Sequence, residues 1–244
     1  MRGLERTSSS TSTYRRATPA CCGITSLVAS TRWHRRSDVQ IFGGMSRAKI
    51  DIVRSEPEPR VKGVAFRTID SCFTELCGAE ARARAHALLS NEVAQAYRYG
   101  TVLAASWYPI SWYREVFAAY RAAMNAGPEL PRRIGRLAVQ HDMRGAHKRL
   151  IAWFASPQTL LALSQRVFSN YYDTGLVEIV DSRAGSVRMR ASGCVDWDVN
   201  MWSELAGSSE ALLELAGARQ VQVRWLSGGR DGDVDHELEA RWTP

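Results

Sequence analysis

The sequence has no apolar run approaching the ~20 residues that a bilayer-spanning helix needs, so it reads as a soluble chain. Cysteine is sparse. Cys21, Cys22, Cys72, Cys77 and Cys194 are an odd set without a Cys-x-x-Cys pair. That count excludes a disulfide framework, offers no zinc ribbon and fits a reducing cytoplasm. Phosphate-cradling and nucleophile motifs are also missing: there is no Gly-x-Gly-x-x-Gly, no P-loop and no nucleophile elbow. His236-Glu237 begins like a zinc-protease helix, but position 240 is Ala and the segment alternates like a strand. Asp231 to Asp235 begins like a calcium loop, yet His236 stands where Gly is required and Trp242 where Glu is required. No set of side chains nominates a reaction, and the chain reads as non-catalytic.

What is present is a globular composition, 45% hydrophobic and 23% charged, in 244 residues. The formal charge of +7 is unevenly placed. Residues 1–44 hold seven arginines against Glu5 and Asp38, a net of +5, which leaves +2 for the other 200 residues. A nucleic-acid surface needs clustered cations with stacking aromatics, and the body of the chain offers none. Residues 1–60 therefore read as a disordered basic tail and linker, rich in Ser and Thr and ending in Glu56-Pro57-Glu58-Pro59. Met45 is an alternative start. Residues 61–244 read as a single α+β domain.

Within that domain Val61 to Phe66 is strand-like, and Asp70 is placed to cap a helix carrying Cys72, Phe73 and Leu76. Helices over 79–89 and from Asn91 to Tyr97 follow. Ser106-Trp107-Tyr108-Pro109-Ile110-Ser111-Trp112-Tyr113-Arg114 then concentrates four large aromatics around a proline. Pro109 predicts an extended connector at Trp107 and Tyr108, with Ser111 as the cap of the next helix. That helix carries two adjacent apolar rows: Trp112, Val116, Ala119 and Ala123, then Tyr113, Phe117, Tyr120 and Met124. Arg114 and Arg121 are left to solvent. After Gly127-Pro128 a further helix puts Leu130, Ile134, Leu137 and His141 on one face, a pattern that continues through His147 and Phe154. Ser156-Pro157 marks another helix start.

Past Gly175 the hydrophobic period changes from 3.6 to 2. Leu176 to Asp181 and Val187 to Ser192 read as a hairpin, Asp196 or Asp198 as the cap of a helix ended by Gly217, and two more alternating strands close the chain. The fold class is thus α+β, a helical N-terminal half followed by a ββαββ antiparallel sheet unit. Asp235, Glu237 and Glu239 are expected opposite Arg188, Arg190 or Arg224 on its solvent face.

Four pieces carry a resemblance. Val61 to Arg67, Ser106 to Pro109 with Trp112-Tyr113, Phe168 to Gly175 and Leu213 to Arg219 resemble, in that order, an uncharacterised paralogous family expanded in myxobacteria that carries a domain of unknown function. More remotely, helices followed by ββαββ are similar to the superfamily of haem nitric-oxide-binding domains, 4-vinyl-reductase-type domains and TRAPP tethering subunits. The haem branch's Tyr-x-Ser-x-Arg motif has no match in this chain. The resemblance implies a ligand-binding or sensory domain without haem, with an apolar small-molecule pocket between helices and sheet. The alternative it implies is a protein-interaction scaffold, a TRAPP-like homodimer. Trp107, Tyr108, Trp112, Tyr113, His141, Tyr171 and Tyr172 are the candidate pocket residues. Trp107 and Tyr108 are expected to be the freest to line a cavity, and Trp112 and Tyr113 to pack in the core.

Overall fold

The computed structural model describes residues 58–142 and 164–243. A three-residue strand, Arg60–Lys62 (β1), pairs antiparallel with Trp107–Pro109 (β2), so the extended connector before Pro109 is indeed a strand. The expected strand over 61–66 stops at Lys62, because helix α1 runs from Gly63 to Cys77. The amide N–H groups of Gly63 and Val64 donate to the carbonyls of Ser106 and Ala104, closing the strand and opening the helix. Ala65, Phe66, Ile69, Cys72 and Phe73 then fall on one buried face. A short apolar run is compatible with either period, and the packing here selects 3.6.

Asp70, expected as an N-cap, sits inside α1 and serves a different purpose. Its carboxylate accepts from Arg82 Nε (2.8 Å) and Tyr120 OH (2.9 Å) and lies 2.8 Å from His86 Nε2. It thereby ties α1 to Ala79–His86 (α2) and to Ile110–Met124 (α4). Asn91–Arg98 (α3) lies between them in sequence, and the Glu115 carboxylate from α4 accepts from the backbone N–H and hydroxyl of Ser90 at its start. Ser111 is not the cap of α4, whose flanking residue is Pro109. Tyr113, Val116, Phe117, Ala119 and Tyr120 are buried along α4, whereas Met124 is partly exposed. Arg121 does not simply face solvent: its guanidinium donates to Asn200 Oδ1 (2.8 Å) and to the Ala126 carbonyl (3.1 Å).

Glu129–Asp142 (α5) follows, and the expected continuation through His147 and Phe154 and the start at Ser156-Pro157 lie outside the described residues. Ser164–Phe168 (α6) leads through a turn into Leu176–Arg183 (β3) and Ser186–Ser192 (β4). Val199–Leu215 (α7), Arg219–Gly228 (β5) and His236–Thr243 (β6) complete the ββαββ unit. The strand order is β3-β4-β6-β5, all antiparallel.

Asp198 is the cap of α7, its side chain accepting from the N–H groups of Asn200 (3.1 Å) and Met201 (3.0 Å). This helix is buried on two sides. Met201 and Trp202 join the helical core, while Ala206 and Leu213 join the sheet core with Val187, Leu238 and Ala240. Two glycines let α5 and α7 touch backbone to backbone: a Cβ at Gly207 would stand 2.0 Å from the Arg132 carbonyl oxygen, and one at Gly135 2.3 Å from that of Glu204. Neither helix accepts a side chain at that crossing. On the outer sheet face, Arg190 lies opposite Glu237 and Arg224 opposite Glu239, and Arg224 Nε comes within 2.7 Å of the Glu239 carboxylate.

Candidate functional site

A cavity of about 160 Å³ lies between the helical half and the sheet. α1 contributes Ala65, Thr68 and Ile69 to its wall, and α5 contributes Ala138 and Val139. Val167, Phe168, Tyr171 and Tyr172 enter from α6 and the turn after it, and Val177, Met189, Ala191, His236 and Leu238 from the sheet. The inner face of α7 supplies Glu204, Leu205, Ser208, Ser209, Leu212 and Leu213. Most of this wall is apolar because the inward faces of five helices, α4 among them through Tyr113, and the alternate residues of three strands converge on it.

Besides the hydroxyls of Thr68, Ser164, Ser208 and Ser209, two ionisable positions other than the tyrosines interrupt it. Glu204 is buried, and its carboxylate accepts hydrogen bonds from Tyr113 OH (2.9 Å) and Tyr172 OH (3.2 Å). Burial, with the adjacent Glu204 charge adding to it, pushes both phenols well above their ordinary range, so they act as donors and stay protonated. His236, only 1% exposed, is the second. Its Nδ1 lies 2.9 Å from the Ser227 carbonyl oxygen. A carbonyl only accepts, so Nδ1 carries the proton and Nε2 carries the lone pair. Nε2 is buried without a hydrogen-bond partner. Burial holds this imidazole below its ordinary pKa and keeps it neutral near pH 7. The ring sits between Trp202 and Trp225, with centroid distances of 5.0 and 5.2 Å.

The structure distributes the seven candidate residues differently from the sequence expectation. Tyr113, Tyr171 and Tyr172 are on the cavity wall. Trp107, Tyr108, Trp112 and His141 are not. Tyr108, expected to be free, has its hydroxyl occupied: it accepts from Leu103 N–H (2.7 Å) and donates to the Thr101 carbonyl (2.8 Å). Its ring stacks on Trp112 at 5.6 Å. Trp107 lies under the Lys62 ammonium, 5.3 Å from the ring centroid. The two residues thus fasten the β1–β2 ribbon and the 101–103 loop. His141 Nε2 is 2.7 Å from the Glu75 carboxylate, and Nδ1 is 3.8 Å from Cys72 Sγ, so it joins α5 to α1.

Glu204 and His236 were missed as wall residues. His236 carried a signal, since it falls on the inward stripe of its strand. Glu204 carried a weaker one, a carboxylate between Met201 and Leu205 on an apolar helix.

The folded chain is similar to solved H-NOX structures. The Fe(II) unliganded H-NOX protein from K. algicida aligns at a TM-score of 0.59 and 12% identity, over 75% of this chain and 97% of that one. A point mutant of the T. tengcongensis H-NOX aligns at 0.52 and 13%, over 75% and 98%. An oxygen-binding H-NOX domain related to soluble guanylate cyclases aligns at 0.52 and 12%, over 75% and 95%. The fold is H-NOX-like. No protein-family model and no curated protein matches the chain, so the H-NOX-like fold rests on structure, and the kinship with the myxobacterial paralogues remains a resemblance of motifs. Among the described residues no helix is long and apolar enough to cross a membrane, and no group of His, Cys, Asp and Glu is arranged to hold a metal ion.

Proposed function

We propose that this domain is a non-catalytic, ligand-binding or sensory module that takes a small apolar molecule into the cavity between its helices and its sheet. The observation that carries this reading is the cavity itself. At about 160 Å³ it is comparable to the ~150 Å³ engineered apolar cavity that stays dry and binds benzene or xenon. An H-NOX-like fold adds support, because the structures it matches include an oxygen-binding domain.

Haem does not fit the described residues. A cavity matched to one benzene ring is far too small for a porphyrin, in which several such rings share a plane. No lysine or arginine stands on the described wall to meet a propionate, whereas the Glu204 carboxylate does stand there. The domain is therefore read as holding a smaller guest in the same kind of interior.

Thermal unfolding of the full chain with and without toluene tests this. At ten times Kd, a ligand that binds only the folded state stabilises it by about 1.4 kcal/mol. For a domain of this size that raises Tm by about 3–5 °C. An unchanged Tm at toluene saturation, together with an unliganded mass by native mass spectrometry, overturns the reading.

A further inference from the structure

A second opening shares no wall residue with the cavity. It is a groove of about 750 Å³ along α1, bordered by α2 and by the end of α3 with the loop after it. Its α1 residues include Arg67 and Ser71, one helical turn apart and on the side of the helix away from Ala65 and Ile69. The volume falls within the ~300–1,000 Å³ of sites that hold a small organic ligand. Buried Ala96 and Val102 line it together with Leu103, which is 60% exposed, so one part of the wall is apolar.

The charged groups of the groove are not equally available. Both Asp70 oxygens are engaged, Oδ1 by Tyr120 and His86 and Oδ2 by Arg82, and the Arg82–Asp70 pair carries no net charge. The Glu75 carboxylate lies 2.7 Å from His141 Nε2. Arg67 is exposed and has no ion pair or hydrogen bond among the described residues. One uncompensated positive charge thus shares the groove with an apolar wall. A guanidinium offers a carboxylate two parallel N–H donors, and the Ser71 hydroxyl adds a third donor on the same face. A dianion brings a second negative charge toward Asp70 and Glu75 that Arg67 alone does not offset, and a cation meets Arg67 with like charge.

We propose that this groove binds an amphiphilic monocarboxylate, its carboxylate on the Arg67 guanidinium and its apolar body against Ala96, Val102 and Leu103. The site is independent of the cavity and of the reading given to it.

The test is calorimetric titration of the full chain with phenylbutyrate, phenylbutanol, phenylbutylamine and phenylbutyl phosphate, which share one apolar body and differ in the head group. Phenylbutyrate is expected to bind about tenfold more tightly than the alcohol or the amine, and more tightly than the phosphate. Arg67→Gln, at an exposed position where substitution leaves the fold intact, is expected to lower its affinity about tenfold and to keep the toluene-induced rise in Tm. Ala191→Leu, on the cavity wall, is expected to leave phenylbutyrate binding unchanged. No binding of phenylbutyrate overturns the site, whatever toluene does. An unchanged affinity in Arg67→Gln overturns the role of Arg67, and tighter binding of the phosphate overturns the monoanion class. Loss of phenylbutyrate binding in Ala191→Leu assigns the ligand to the cavity and overturns the groove.

Discussion

Asp70 shows how far one side chain's position can differ from its propensity. Asp before an apolar run is a natural helix cap, yet here it is the acceptor at the centre of three elements. Burial pushes its carboxyl up, but hydrogen bonds from His86 and Arg82 outweigh that, and the net result lies below the ordinary value. Such a group stabilises the fold above the unfolded carboxyl pKa of about 3.9 and loses that contribution as pH falls through the lower folded value. Asp70→Asn is expected to cost about 2 kcal/mol in urea unfolding at pH 7, the scale of a hydrogen bond to a charged group. The gap between variant and parent should shrink as pH falls below about 4, where the carboxylate takes up its proton. A gap that keeps its full size down to about pH 2 would contradict the assignment.

At the scale of elements, the contact between α5 and α7 governs the middle of the molecule. The two helices approach through Gly135 and Gly207, and beside this crossing Arg136 reaches the Glu210 carboxylate (3.0 Å) and the Glu214 carboxylate (2.7 Å). Alanine favours a helix by up to about 1 kcal/mol over glycine, so propensity alone predicts that Gly207→Ala stabilises. The Arg132 carbonyl, 2.0 Å from the new Cβ, decides otherwise. The helices must separate, and overpacking of this kind costs about 1–3 kcal/mol or more. Gly207→Ala is therefore expected to lower stability by about 2–3 kcal/mol in denaturant titration, and a neutral or stabilising result would refute the close approach. The Gly207 side of α7 carried no cue in the hydrophobic pattern, because a missing side chain leaves no periodic mark.

For the molecule as a whole, the cavity lies where the helical and sheet cores meet. Ala191 faces it from β4, between the Val177 and His236 positions of the neighbouring strands. Ala191→Leu extends a side chain into the space. It is expected to stabilise the unliganded protein by about 0.5–2 kcal/mol, as cavity filling commonly does. The same variant should lose the toluene-induced rise in Tm. Retention of the full rise in a well-folded Ala191→Leu protein would place the ligand elsewhere.

The order and kind of the later elements were legible in the chain. The change of period at Gly175, the cap at Asp198 and the alternation of charge and apolarity in the last strands all follow from local backbone geometry, and these determined the ββαββ unit and the Arg–Glu pairing on its outer face. The early strand-like run did not determine its own state, because six apolar-rich residues suit either period until the Ser106 and Ala104 carbonyls take the amides of Gly63 and Val64. The aromatic stretch from Trp107 to Tyr113 carried its extended and helical halves in its sequence, but not its roles. Tyr108 is held by a loop five to seven residues away, while Tyr113 reaches Glu204, 91 residues on. Which aromatics face a cavity is set by packing between distant segments, so only the tertiary structure could assign Tyr113, Tyr171, Tyr172, Glu204 and His236 to the same space.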